Sequence, residues 1–131
     1  MEHLPAGSRA TKKGSPDWFT GEVDMTPVFD APPPAQQRSA IVRFAPGART
    51  HWHTHPCGQM IHVLSGRGRA QSEGGPVVLI GPGDTVWFGP GERHWHGADP
   101  DSPMEHLAVQ KAQDGVAVTW AEPVIDGDYL G

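Results

Sequence analysis

The segment GARTHWHTHPCGQMIHVLSG, residues 47–66, contains four of the eight histidines in this 131-residue chain. His51, His53 and His55 alternate with other residues, as side chains on one face of a β-strand do. Two imidazoles at positions i and i+2 of a strand point the same way and can chelate one metal ion. Gln59 follows the turn sequence PCG, which can return its side chain to the same side. The segment therefore predicts a metal site built on strands.

A second pair of histidines has the same spacing. His94 and His96 follow the turn sequence GPGER, and His106 lies in the next strand-like run. If those strands are neighbours, His106 comes close to the pair. Imidazole is the usual ligand of Zn, Cu, Fe and Ni, and Mn accepts it together with oxygen donors.

The composition favours an all-β fold with short helices or none. The chain contains 17 glycines and 14 prolines, which recur between apolar runs. Such residues mark tight turns and interrupt helices. Short strand-like runs at a spacing of roughly 8–12 residues indicate a sandwich or a barrel. The polar, Gly/Ser-containing residues 1–16 are predicted to form a flexible N-terminal arm, and residues 17–131 a single domain.

Charge and cysteine content exclude several classes of partner. The net charge of -5, with few clustered basic residues, argues against nucleic acid binding. No apolar run approaches the roughly 20 residues needed to cross a bilayer, so no membrane association is expected. The single cysteine, Cys57, excludes an internal disulfide and fits a reducing compartment. We expect a cytoplasmic protein that acts on a small molecule.

Two spaced motifs resemble those of the cupin family. The pattern G-x5-H-x-H-x3-Q-x6-G, which runs from Gly47 to Gly66, is similar to the first cupin motif, where a Glu normally stands at the position of Gln59. The segment GDTVWFGPGERHWHGA, residues 83–98, resembles the second motif. It departs from that motif at Gly89, where the family has Pro, and at Ala98, where it has Asn. The resemblance implies a jelly-roll β-barrel with a metal bound by His53, His55, Gln59 and His94.

A closer resemblance is to the small bacterial manganese cupins that act as hydroxynitrile lyases. It extends to the segments DWFTG (17–21) and FAPGARTHWHTHP (44–56). The resemblance implies a pocket lined by residues at positions 40, 42, 96, 106 and 110. Within it we expect Ala40 and Val42 to contact the substrate and His106, His96 and Gln110 to be the catalytic residues, with one histidine as the base. His51 replaces a small residue of those lyases, so we expect it to crowd the pocket or to supply an additional base.

The expected function is a metal-dependent cleavage of cyanohydrins. Three imidazoles and a neutral amide leave the charge of a metal uncompensated, which favours Lewis-acid chemistry over oxygen activation. Manganese is expected, and Fe, Ni, Zn or Cu stay open because the ligand types suit them equally. Two alternatives are an oxidoreductase that activates O₂ at Fe or Mn and a non-catalytic module that binds a small molecule. The resemblance also implies a homodimer or a homotetramer.

Overall fold

The computed structural model describes all of residues 1–131 and confirms the predicted all-β fold. Thirteen strands precede one short C-terminal helix, α1 (Asp126–Leu130). The strands are β1 (Lys12–Lys13), β2 (Phe19–Thr20), β3 (Val23–Asp30), β4 (Gln37–Phe44), β5 (Arg49–Thr50), β6 (His53–Thr54), β7 (Gln59–Gly66), β8 (Gly68–Ser72), β9 (Val78–Ile80), β10 (Thr85–Phe88), β11 (His94–Ala98), β12 (Met104–Lys111) and β13 (Thr119–Trp120). No helix has the length and apolar character that a membrane span requires.

The strands form two sheets that enclose the core. The first sheet has the order β1-β3-β4-β12-β7-β10, and the second has the order β13-β6-β11-β5-β2, with β8 on β11 and β9 on β8. All strand pairs are antiparallel, and alternate residues of each long strand point inward. The main hydrophobic core draws on both sheets, with Phe44, Ile61, Val63 and Met104 fully buried.

The chain crosses from one sheet to the other at residues 66–68. β7 pairs with β10 and β12, whereas β8 pairs with β9 and β11. The alternation of residues 59–73 predicts two strands about a turn at 66–68, and the structure has both strands, but they do not pair with each other as a hairpin. Gly66 has φ 77°, and a Cβ at this position would lie 1.9 Å from the carbonyl oxygen of Pro103. Only glycine fits this crossing.

The histidine-rich strand is interrupted by a β-bulge. The step from Arg49 to His53 spans four residues, whereas the facing step on β11, from His94 to Gly97, spans three. The extra residue breaks the strand into β5 and β6 and reverses the alternation of side chains across the break. In β5 the residue that faces the cavity is therefore the even-numbered Thr50, whereas in β6 it is the odd-numbered His53.

The C-terminal segment covers the outer face of the second sheet. Trp52, Trp95, Val124 and Tyr129 form a separate buried cluster there. The Arg49 guanidinium donates to the Val124 carbonyl at 2.7 Å and lies 4.3 Å from the centre of the Tyr129 ring. These contacts fix the segment that follows β13 to the barrel.

At the other end of the chain, Lys12 and Lys13 of β1 pair with Met25 and Asp24 of β3. These two residues belong to the segment predicted as an arm. The flexibility of residues 1–16 and the domain boundary at residue 17 stay predictions.

Candidate metal centre and cavity

Three strands bring the second-sheet histidines and Gln59 together. His53 on β6 lies directly opposite His94 on β11, and their ring centres are 4.2 Å apart. His55 follows β6, with its ring centre 5.0 Å from that of His53. Gln59, the first residue of β7, places its Oε1 atom 3.0 Å from Nε2 of His94. The predicted ligands therefore lie in one buried cluster.

Three members of this cluster, His53, His55 and Gln59, line a cavity of about 350 Å³. Nine of its sixteen lining residues are hydrophobic. The lining comprises Trp18, Phe19, Met25, Ala40, Val42, Phe44, Thr50, His53, His55, Gln59, His96, His106, Ala108, Gln110, Val118 and Trp120. No carboxylate is among these residues, so the site presents only neutral donors to a ligand.

Backbone carbonyls fix the tautomers of three histidines. Nδ1 of His53 lies 2.9 Å from the His51 carbonyl oxygen, and Nδ1 of His55 lies 2.7 Å from that of Ala117. Nδ1 of His94 lies 2.8 Å from the Glu92 carbonyl oxygen. Because a carbonyl only accepts, each Nδ1 carries the proton and each Nε2 presents a lone pair. Metal-binding histidines are oriented in this way.

The Nε2 atoms have too few hydrogen-bond donors around them. Nε2 of His55 is buried without any partner. The Gln59 amide donates from Nε2 to Oε1 of Gln110 at 3.2 Å, which leaves its Oε1 facing the Nε2 lone pair of His94. Two acceptors cannot hydrogen-bond to each other, whereas a cation between them would satisfy both. The donor set therefore fits a metal ion.

Among the histidines, the ring nitrogens of His53, His94 and His96 lie within 4.8 Å of one another. This trio shares two members with the predicted ligand set and includes His96 in place of His55. Three buried histidines this close could hold a metal ion, since imidazole is a common metal ligand. The set of four ligands and the identity of the metal stay predictions.

Burial keeps the histidines of the site neutral. It lowers the pKa of His94 to about 4 and that of His106 to about 4. It lowers the pKa of His53 and of His96 well below the ordinary value, and neighbouring histidines add to both shifts. The pKa of His55 is also lowered by burial. Neutral imidazoles are the form that binds a metal or accepts a proton.

His96 and His106 form a second hydrogen-bonded pair beside the cluster. Nε2 of His106 lies 2.9 Å from Nδ1 of His96, and Nε2 of His96 lies 3.1 Å from Oε1 of Gln59. Gln110 lies opposite Gln59 across β12 and β7, which explains the contact between the two amides. The three residues predicted as catalytic thus border both the cluster of predicted ligands and the cavity.

The predicted pocket residues have different outcomes. Ala40 and Val42 line the cavity, on the inward face of β4. His51 is buried but does not line it. The bulge between β5 and β6 explains this correction, because Thr50 takes the inward-facing position instead.

Most of the apolar wall is not among the pocket residues predicted from the sequence. Phe44 and Ala108 have the same parity on their strands as Val42 and His106, so alternation alone was sufficient to find them. Trp18 and Trp120 come from segments at opposite ends of the chain. No local pattern indicates that these two meet, because only the closed barrel brings them together.

Comparisons with known proteins agree with this fold. A model of the cupin domain family matches residues 40–110. Over 129 residues, which cover 98% of each chain, the sequence is 57% identical to a protein of Granulicella tundricola named (R)-mandelonitrile lyase. The crystal structure of a cupin-like protein from Thermotoga maritima has a TM-score of 0.86 at 36% identity and covers 96% of this chain and 95% of its own. A cupin-2 domain from Rhodospirillum rubrum, with a TM-score of 0.74 at 16% identity over 97% of this chain and 82% of its own, shares the fold.

Proposed function

The chain belongs to the cupin family, and we propose that it is a metal-dependent hydroxynitrile lyase, which cleaves a cyanohydrin into an aldehyde and cyanide. The observation that carries this proposal is a cavity whose lining combines neutral polar side chains with apolar and aromatic ones and contains no carboxylate. A cyanohydrin combines the same two characters, with a hydroxyl and a nitrile on one carbon beside an apolar group. The 57% identity to a protein named mandelonitrile lyase supports the same substrate class.

The proposed metal ligands are His53, His55, Gln59 and His94. The support is the set of three Nε2 lone pairs fixed by backbone carbonyls, together with Gln59 Oε1. Manganese is proposed first, and Fe, Ni, Zn and Cu suit these ligand types as well. When bound, a divalent cation without carboxylate ligands supplies Lewis-acid polarisation of a substrate oxygen and stabilises negative charge.

The proton of the substrate hydroxyl passes to the His96–His106 pair. One neutral ring accepts the proton, and the resulting imidazolium donates a hydrogen bond to the other ring across their 2.9 Å contact. The O–H electron pair becomes the second bond of the aldehyde carbonyl. The bond between the carbinol carbon and the nitrile carbon breaks, and its electron pair leaves with cyanide, which takes up the proton.

Gln110 positions the polar groups of the substrate. Its Oε1 accepts a hydrogen bond from Gln59, which leaves its amide Nε2 to donate to the departing cyanide or to the substrate oxygen. The aromatic and aliphatic lining holds the apolar group of the substrate and excludes water from the reacting atoms.

Cleavage of (R)-mandelonitrile by the manganese-loaded protein tests the proposal. We expect benzaldehyde to appear, followed by its absorbance, with cyanide released in equal amount. His106→Ala and His96→Ala variants should each slow cleavage by about 100-fold or more, because general-base catalysis contributes about that much. If both variants cleave at the wild-type rate, the assignment of the base is wrong. Oxygen consumption with a small phenol or diketone, without cyanohydrin cleavage, would favour the oxidoreductase instead.

The predicted homodimer or homotetramer stays a proposal for the assembled protein. Large apolar side chains on the outside of the barrel support it, such as Trp87, Leu79 and Leu64. Light scattering of the purified protein measures the assembly directly.

A further inference from the structure

The histidine-lined cavity, here called the inner compartment, has a neighbouring cleft. This outer cleft of about 310 Å³ lies between β1, β3 and β4. The two spaces share four lining residues, Trp18, Met25, Ala40 and Gln110. Four histidines line the inner compartment, whereas none lines the outer cleft. The proposed reaction therefore takes place in the inner compartment, and the outer cleft adjoins it at the four shared residues.

Trp18 is the largest of the four shared residues, and its ring belongs to an aromatic wall. It stacks on Trp120 with ring centres 5.7 Å apart and an interplanar angle of 9°. Trp120 in turn packs on His53 at 4.7 Å. The wall thus runs from the histidine cluster, across Trp120, to the border between the compartments.

The backbone of Trp18 is fixed, while its side chain remains partly free. Its N–H donates to the Ser15 carbonyl at 3.0 Å, and its own carbonyl accepts from the His51 N–H at 2.8 Å. The residue is nevertheless 43% exposed. A side chain held in this way can be shortened without removing a core residue or a backbone hydrogen bond. It is therefore suited to setting the size of a pocket.

We propose that Trp18 is a specificity-determining residue that limits how far the apolar group of the substrate extends from the reacting carbon. This inference rests on the proposed function for the identity of the reaction, whereas the position of Trp18 between the two compartments does not depend on it. With Trp18 present, a single aryl ring is enclosed by the aromatic wall. Without the indole, a second flat apolar group reaches the outer cleft beside Met25 and Ala40. The additional substrate class is cyanohydrins of extended biaryl aldehydes.

Binding of probes that cannot react tests whether Trp18 separates the two compartments, without any turnover. Benzyl alcohol and 4-biphenylmethanol, which contain no nitrile, are titrated by calorimetry into the wild-type protein and into Trp18→Ala. We expect the preference for the longer probe to rise by about 10-fold or more in the variant, since the loss of a steric barrier in an apolar pocket changes discrimination by that order. Trp18→Leu, a milder opening that keeps an apolar side chain, should shift the preference in the same direction.

Two controls make the result specific. Trp18→Phe keeps an aromatic ring at the border and should retain most of the wild-type preference. Leu79→Ala removes an apolar side chain that is 70% exposed on β9, away from both compartments, and should change nothing. An equal preference in wild type, Trp18→Ala and Trp18→Leu overturns the proposal, as does the same shift in Leu79→Ala.

Turnover then distinguishes the two proposals. For mandelonitrile, Trp18→Ala should raise KM by several-fold with a smaller change in kcat, because the residue contacts the apolar group and not the reacting atoms. The cyanohydrin of 4-phenylbenzaldehyde should gain in kcat/KM by about 10-fold relative to mandelonitrile. If neither cyanohydrin is cleaved by any form, the proposed function fails, while the ratio of probe affinities still decides the role of Trp18.

Discussion

The two faces of β11 differ in how completely their polar groups are satisfied. The inner face presents His94 and His96 to the cavity, and both are buried and neutral. The outer face presents Trp95, which is fully buried beneath the C-terminal segment and donates from Nε1 to Oε1 of Gln71 at 2.8 Å. The inner face of β11 therefore carries polar atoms that lack hydrogen-bond donors, whereas the polar atom of the outer-face side chain has its hydrogen-bond partner.

This difference separates function from stability along a single strand. Buried polar atoms without partners do not stabilise a fold, so their presence indicates a ligand that satisfies them. Buried apolar side chains with satisfied polar atoms stabilise it. Substitutions on the inner face should therefore change metal binding and catalysis, and substitutions on the outer face should change the free energy of unfolding.

The largest expected effect is on the inner face, from His94→Ala. The variant loses a proposed ligand whose Nε2 lone pair faces Gln59. We expect its metal content to fall and mandelonitrile cleavage to slow by at least about 1,000-fold, the equivalent of ~4 kcal/mol of lost transition-state stabilisation. Metal analysis and initial rates measure both. A variant that keeps its metal and its rate would remove the functional half of the comparison.

The outer face gives the next effect. Trp95→Ala removes a fully buried side chain that packs against Tyr129 with ring centres 5.6 Å apart. We expect the free energy of unfolding, from urea denaturation of the metal-free protein, to fall by about 3–4 kcal/mol. Metal content at saturating manganese should stay close to that of the wild type. Trp87→Ala is the matched control, because Trp87 is 60% exposed and its loss should cost under about 1 kcal/mol.

The features of the fold and the site that could be predicted from the sequence are those set by short segments of the chain. Alternation and turn residues are local, and they correctly predicted an all-β fold of many short strands. The spacing of the two motifs predicted that His53, Gln59 and His94 lie together, and the structure places them in one cluster. These successes depend on short segments whose geometry is set by the strands themselves.

The failures arise where one residue or a distant contact changes the outcome. A single extra residue between β5 and β6 moved His51 away from the cavity and put Thr50 in its place. The sequence around Gly66 predicts a turn between two strands, but β8 pairs with β11 in the other sheet, at a crossing where Pro103 leaves no room for a Cβ on Gly66. The Trp18–Trp120 wall joins segments that are about a hundred residues apart in the sequence.

The neutral histidines of the inner face also predict a dependence of stability on pH. Burial lowers the pKa of His106 to about 4, from an ordinary value of 6.5. Between these values the unfolded chain binds a proton that the folded chain does not, so acid favours unfolding. We expect the free energy of unfolding of the metal-free protein to fall as the pH drops from 6.5 to 4, with His106 alone contributing about 3 kcal/mol. Above pH 6.5 this residue should contribute no pH dependence.

Urea denaturation of the metal-free protein at several pH values measures the slope. The matched variant is His106→Gln, which keeps a polar side chain but cannot titrate. Its free energy of unfolding should fall less steeply over the same range, because one depressed imidazole has been removed and those of the remaining site residues stay. Equal slopes in the two proteins would show that His106 titrates normally in the folded state.

The smallest expected effect tests whether the outer face owes its stability to packing more than to polar contacts. The Tyr129 hydroxyl donates to the carbonyl oxygen of Ala98, the last residue of β11. Tyr129→Phe leaves the ring against Trp95 and under Arg49 and removes only this hydrogen bond. We expect a loss of about 1 kcal/mol in the free energy of unfolding, the typical net value of one hydrogen bond, with cleavage unchanged. A loss as large as that of Trp95→Ala would mean that the buried Ala98 carbonyl, left without its donor, dominates the outer face. In that case both faces of β11 would be governed by the pairing of polar atoms, and the proposed division between them would not hold.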